Sequence, residues 1–115
     1  IQIPKFNFYK NGELTLKLNE FDNIIRFKIM KLENNDIITI DLSDLNILFS
    51  FIMDDGNKIY IGKNIELSEL KEGLITYIIK GDLSFKIRSQ KNKTFYLIDK
   101  NIDGMETVIY SGNIG

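Results

Sequence analysis

Four residues near the C-terminal end have the types and the spacing of a calcium-binding loop: Asp99, Asn101, Asp103 and Gly104. Such a loop takes oxygen ligands from positions 1, 3 and 5, bends at a glycine in position 6, and closes with a bidentate glutamate at position 12. Position 12 is Tyr110 here, which cannot chelate in that way, and the flanking segments have strand patterns where a calcium loop needs helices. The residues therefore favour a β-hairpin that bends at Asp103 and Gly104. Asp99 and Asn101 are then expected to be solvated turn residues.

A looser metal site on the same hairpin is the alternative, because Glu106 is close enough in sequence to contribute an oxygen. Calcium needs six to eight oxygens in a preformed arrangement, whereas a hairpin places successive side chains on alternate faces. We therefore predict no metal site and no calcium binding at physiological concentration. A second acidic turn, residues 54–57, is interpreted in the same way, as a plain hairpin bend.

The chain contains no histidine and no cysteine. Their absence excludes catalysis by an imidazole base, thiol nucleophiles and the usual zinc sites. Carboxylates are plentiful, which leaves a paired-carboxylate glycosidase as the one familiar enzyme class, but nothing in the pattern singles out two of them. We predict that the chain is not an enzyme, that it has no catalytic residues and that it binds no cofactor.

Charge and hydropathy limit the class of partner. The 15 basic and 16 acidic side chains are spread evenly and give a net charge of -1, whereas nucleic-acid and anionic-membrane binders usually carry a basic excess or stripe. No apolar run approaches the roughly 20 residues that cross a bilayer, and no secretory signal is present. We expect neither a nucleic acid nor a membrane as partner. The chain begins at Ile1 rather than at methionine, and we expect it to be a piece of a longer protein.

The order of turns and apolar runs predicts many short strands. The chain has no alanine, and isoleucine, phenylalanine and tyrosine favour strands. Alternating patterns at residues 24–30, 45–53 and 83–88 predict strands with one face in the core. Uniformly apolar segments at 37–42 and 74–79 predict central strands, and residues 68–72 predict a single helical turn. The expected fold class is all-β, an antiparallel β-sandwich of immunoglobulin-like or jelly-roll-like type with at most one short helical turn.

The N-terminal segment is predicted to be an extended arm, residues 1–11, ahead of a single domain, residues 12–115. Proline cannot donate to a strand ladder, so Pro4 marks an edge or the start of a strand. The arm has too many apolar residues for a solvated tail, and we predict that it contacts the sheet or a neighbouring chain. The candidate interaction residues are Ile1, Ile3, Phe6, Phe8 and Tyr9.

Residues 81–87 (GDLSFKI), 95–97 (FYL) and 103–112 (DGMETVIYSG) resemble the end of small β-sandwich domains in phage virion proteins. The family that they resemble is the N-terminal domain of baseplate upper proteins and related fibre-attachment modules, and the resemblance covers residues 37–112. It implies a structural module of a phage tail, baseplate or fibre that resides in the virion. It also implies partners among other virion proteins and a homo-oligomer, either a trimer or a ring.

The expected function is therefore that of a non-enzymatic virion domain that attaches one component to another. Attachment would depend on complementary shape: sheet edges would pair, and apolar patches would be buried between neighbouring copies. The alternative is a receptor- or glycan-binding module that uses exposed aromatic rings and loop carboxylates. Candidate rings for such a platform are Phe6, Phe8, Tyr9, Phe95 and Tyr96.

Overall fold

A computed structural model describes residues 14–115 as a β-rich chain with one α-helix. The strands in this range are β1 (Thr15–Leu16), β2 (Asn23–Lys28), β3 (Met30–Glu33), β4 (Asp36–Thr39), β5 (Ile47–Ile52), β6 (Lys58–Ile61), β7 (Leu74–Ile79), β8 (Thr94–Lys100) and β9 (Glu106–Ile114). The helix α1 spans Gly81–Arg88, and a 3₁₀ helix spans Leu70–Glu72.

The largest sheet has five strands in the order β1–β9–β8–β5–β6. Its neighbours are antiparallel except at the edge, where β1 runs parallel to β9. The hairpins expected at residues 54–57 and at Asp103 and Gly104 are confirmed, because these bends join β5 to β6 and β8 to β9. A bulge between Leu97 and Ile98 interrupts the register of the second hairpin, and bulges of this kind bend a strand and increase its twist.

A two-stranded sheet of β2 and β7 packs on the core face of this sheet through aromatic rings. The ring centroids of Phe49 and Phe95 are 5.1 Å apart, and that of Phe27 is 5.9 Å from Phe95. Tyr77 completes the group and donates its hydroxyl hydrogen to the carbonyl oxygen of Ile47 at 2.8 Å. Burial raises the pKa of Tyr77, which keeps the hydroxyl protonated as a donor. The strand predicted at 74–79 is thereby confirmed and is mostly buried, but it is not central, because within residues 14–115 β7 pairs only with β2 in a two-stranded sheet.

The strand predicted at residues 83–88 is wrong, because these residues belong to α1. Ser84 and Ile87 are buried on one side of the helix, and the Ser84 hydroxyl donates to the carbonyl oxygen of Asn19 at 2.6 Å. Asp22 accepts a hydrogen bond from the amide of Gly81 at 2.9 Å and so satisfies one of the free N–H groups at the helix start. The expectation of at most one helical turn therefore fails, although the turn predicted at 68–72 is confirmed by the 3₁₀ helix.

The central strand predicted at residues 37–42 is also wrong. Strand β4 ends at Thr39 and every residue in it is exposed, while Ile40 and Leu42 enter the core only after the strand has ended. β4 pairs with β3 in a separate two-stranded ribbon. Within residues 14–115, no helix is both long enough and apolar enough to span a membrane.

Candidate interaction surface

The β3–β4 ribbon, residues 30–39, extends past the start of β7 as a two-stranded hairpin. The last residue pair of β2 and β7 is Lys28 with Leu74, and β3 begins two residues later. The bend of the ribbon consists of Asn34 and Asn35, whose φ angles are 50° and 66°. A two-residue hairpin turn of type I′ needs positive φ at both positions, and asparagine tolerates that conformation better than most residues. The local sequence therefore favours the bend of this ribbon.

One face of the ribbon is apolar and open to solvent. Leu32 opposes Ile37 in the ladder, so both side chains lie on the same face, and they are 49% and 47% exposed. The opposite face carries Lys31 and Glu33, whose charged groups are 2.9 Å apart. The charged groups are therefore confined to one face, which also carries Ile38 opposite Lys31. No residue within 14–115 buries the other face, that of Leu32 and Ile37.

The base of the ribbon is fixed at Gly73, the residue that ends the 3₁₀ helix. The amide of Ile29 donates to the carbonyl oxygen of Gly73 at 2.8 Å. A Cβ atom on Gly73 would lie 2.6 Å from the oxygen of Ile29 and 3.2 Å from the oxygen of Ile40, which enter and leave the ribbon on either side. Both of these isoleucines are buried. The ribbon is thus anchored in the core at its base while its outer part is solvated.

Leu32 and Ile37 were not among the residues that the sequence pattern singled out for interaction. An isolated two-stranded hairpin is only marginally stable in water, and natural proteins usually protect unpaired strand edges. A ribbon with an open edge and an open apolar face therefore has the character of a contact surface. The sequence signal that could have revealed it is the Asn34-Asn35 pair between two short segments that contain apolar residues.

The hairpin of β8 and β9 does not bring its polar side chains together. Asp99 is in β8 and only 4% exposed, and it accepts a hydrogen bond from the amide of Asn46 at 3.1 Å, so its expected position as a solvated turn residue is wrong. The side-chain oxygen of Asn101 accepts hydrogen bonds from the backbone amides of Asp103 and Met105, at 3.0 and 2.8 Å. Its position in the turn is as expected, although it is half-buried rather than solvated. The side-chain oxygens of Asp99 and Asn101 are thus already engaged with backbone amides.

Calcium is expected to leave the thermal stability of the protein unchanged. Among residues 14–115, no three acidic side chains gather as metal ligands would, and Gly104, at φ +85°, forms the bend as an ordinary hairpin glycine. A ligand stabilises the fold only if it binds the native state. Thermal unfolding with millimolar calcium and with a chelator is the measurement, and a rise of many degrees with calcium would restore the metal site.

A polar cluster lies on the outer face of the five-stranded sheet, on the side opposite the core. Lys58 on β6 and Glu106 on β9 approach to 3.4 Å, and the amine of Lys100 lies 4.7 Å from the ring centroid of Tyr60. In a flat sheet, β6 and β9 would be about 14 Å apart, since two strands separate them. The contact between Lys58 and Glu106 therefore indicates that the sheet is strongly curled.

Glu106→Gln is expected to lower the free energy of unfolding at neutral pH and to have little effect in acid. The pKa of Glu106 is lowered from 4.5, first by the hydrogen bond with Tyr60 and then by the charges of Lys58 and Lys100. A group whose pKa is lower in the folded state stabilises the fold above its unfolded pKa, and this stabilisation is lost as the pH falls through the folded pKa. Urea unfolding of both proteins at stepped pH tests this. The matched control is Glu66→Gln on an exposed loop, and a gap for Glu106→Gln that does not change with pH would contradict the prediction.

A shallow groove runs beside α1, with a volume of about 350 Å³ and a lining of Glu20, Phe85, Arg88 and Ser89. Phe85 is 69% exposed, although its place in the alternating pattern put it in the core. An exposed ring flanked by an acid and a guanidinium can stack on a flat apolar face and bind hydroxyl groups. The groove is open and shallow, so it offers a weaker site than an enclosed pocket.

The aromatic residues proposed as a stacking platform are distributed differently. Phe95 is buried in the core and Tyr96 is half-buried on the other face of β8, so this pair forms no exposed platform. The five candidate interaction residues of the arm lie outside the residues that the structure describes: Ile1, Ile3, Phe6, Phe8 and Tyr9.

Comparison with known proteins adds no assignment to this geometry. No protein-family model and no curated protein matched the sequence.

Proposed function

We propose that the chain is a non-enzymatic assembly module of a phage virion, which attaches one tail, baseplate or fibre component to another. The observation that carries the assembly role is the exposed apolar face of the β3–β4 ribbon. The resemblance of residues 95–97 and 103–112 supports the virion context, since these segments form the closing β8–β9 hairpin. Residues 81–87, which also carried the resemblance, form α1 and give it no support. The packing of β2 and β7 on the five-stranded sheet supports the sandwich class.

The ribbon suits this role because its two faces differ. Burying Leu32 and Ile37 against a partner would remove apolar surface from water, a gain of roughly 25 cal/mol per Å². The ribbon alone is too small to bury the ~800 Å² per partner of a standard stable interface. The proposal therefore needs further contacts outside the ribbon.

The N-terminal arm is the second proposed contact. Within residues 14–115, β1 pairs with β9 through Asn113 and Ile114. Sheet edges can accept an extended strand from another chain, and the arm has more apolar residues than a solvated tail would carry. We propose that the arm, with Ile1 and Phe6 among its apolar residues, contributes contacts beyond its own domain.

Replacing both apolar residues of the ribbon tests the assembly role. Leu32→Ser/Ile37→Ser is expected to shift the protein to monomer in sedimentation velocity at concentrations at which the unmodified protein associates. The matched control is Ile65→Ser/Ile102→Ser, which removes two equally apolar and still more exposed side chains elsewhere and should leave association unchanged. An unmodified protein that stays monomeric at every concentration and binds no virion component would refute the proposal.

The alternative function is a receptor- or glycan-binding module, and the observation that favours it is the groove beside α1. Phe85 would stack on a sugar ring while Glu20 and Arg88 bind its hydroxyl groups. Phe85→Ala separates the two functions, because it should abolish glycan binding and leave assembly through the ribbon intact.

A further inference from the structure

The free edge of β3 presents backbone groups for a further strand. Glu33 and Asp36 flank the two-residue turn, so they form a hydrogen-bonded pair, and such pairs alternate along an antiparallel ladder. Leu32 therefore belongs to a pair without mutual hydrogen bonds, and its own N–H and C=O point away from β4. No strand within residues 14–115 pairs with β3 on that side.

The side chains next to Leu32 carry opposite charges at equal spacing. Lys31 precedes Leu32 and Glu33 follows it. If a second β3 lay antiparallel across the edge with Leu32 opposite its counterpart, Lys31 of each copy would face Glu33 of the other. Directly opposed residues in such a pair are only about 4.5–5.5 Å apart, so both charge pairs would be in contact range.

Other two-fold registers are less favourable. A symmetric antiparallel pair requires one residue to face its own counterpart, because directly opposed side chains must share a face. A register centred on Lys31 or on Glu33 opposes like charges. On the other edge of the ribbon, a register centred on Ile37 places Asp36 against the apolar Ile38.

We propose that β3 pairs with β3 of a second copy of this chain about a two-fold axis at Leu32. This inference rests on the proposed function and deepens it by naming the partner and the register. The two ribbons become one four-stranded sheet in the order β4–β3–β3–β4. Leu32 and Ile37 of both copies form a continuous apolar strip on one face, and Lys31 and Glu33 of both copies form a four-membered ion network on the other.

Charge reversal on mixed copies tests the register. Lys31→Glu and Glu33→Lys each place like charges across the two-fold axis, and each is expected to weaken self-association by about tenfold or more at low ionic strength. A 1:1 mixture of the two variants opposes unlike charges again and should associate nearly as tightly as the unmodified protein. The ion pair within each chain is lost in both variants and is not restored by mixing, so recovery reports the contact between copies.

Sedimentation velocity of each variant and of the mixture gives the result, with circular dichroism to verify that each variant is folded. Single variants that associate like the unmodified protein, or a mixture that fails to recover, would overturn the register. If Leu32→Ser/Ile37→Ser then still abolishes association, the assembly proposal stands without this register. If the unmodified protein never self-associates, the pairing of β3 with β3 is overturned. The assembly proposal is also overturned if, in addition, the protein binds no virion component.

Discussion

Phe49→Ala is expected to lower the free energy of unfolding by about 3–5 kcal/mol, as for other truncations of a fully buried aromatic ring. Phe49 is fully buried, and its ring stacks on Phe95 with centroids 5.1 Å apart and contacts Tyr77 at 6.0 Å. Truncation removes the transfer free energy of the ring and leaves a cavity between the five-stranded sheet and β7. Rigid sheets on both sides prevent collapse into that space, so the loss should lie in the upper part of the range.

Phe85→Ala is the matched control, because it removes the same ring from α1, where most of it is solvated. Urea unfolding with linear extrapolation should show a change of no more than about 0.5 kcal/mol, as for most surface substitutions. If Phe85→Ala cost as much as Phe49→Ala, residues 83–88 would have to form the half-buried strand that their alternation predicts. The pair of variants therefore tests the helix assignment as well as the core.

The two tight hairpins could be predicted from sequence because their chemistry is local. Gly56 and Gly104 have φ angles of 90° and 85°, and each follows an aspartate between two alternating segments. Short-range backbone preference and strand alternation agree at both places, so no tertiary information was needed. The buried strand β7 was predictable for a related reason, since its apolar run is bounded on both sides by turn residues.

The helix could not be predicted, because residues 83–88 satisfy two periods at once. Leu83, Phe85 and Ile87 alternate as a strand requires, yet Ser84 and Ile87 are three residues apart and share a helical face. The deciding interactions come from distant parts of the chain, namely the bond from Gly81 to Asp22 and that from Ser84 to Asn19. Neither partner can be identified from the local pattern.

The predictions for the ribbon and for the carboxylate of Asp99 were wrong for a complementary reason. Ile37 and Ile38 are as apolar as any core pair, so composition predicts burial, but the register with β3 leaves both of them exposed. Asp99 is polar and close to a turn, so composition predicts solvation, but it lies inside β8 next to the amide of Asn46. Local hydropathy reports what a side chain prefers, while sheet register decides where it lies.

Gly73→Ala is expected to lower the free energy of unfolding by about 2–5 kcal/mol, the sum of a backbone and a packing term. The residue has φ +74° and is held there by hydrogen bonds to Leu70 and from Ile29. Its new Cβ would lie 2.6 Å from the Ile29 oxygen, which is backbone and cannot rotate away. This clash can be relieved only if the backbone at Ile29, where the chain leaves the core and enters β3, moves away from residue 73. The variant should therefore also weaken assembly through the ribbon.

Gly104→Ala separates the two terms, because this glycine has a similar φ of +85° but nothing within 4 Å of the added Cβ. It should cost only the conformational part, about 1–2 kcal/mol, and should leave association in sedimentation velocity unchanged. Urea unfolding of both variants gives the comparison. Equal losses at the two sites would mean that the close approach at Gly73 relaxes without cost, and the base of the ribbon would then be far less rigid than its hydrogen bonds imply.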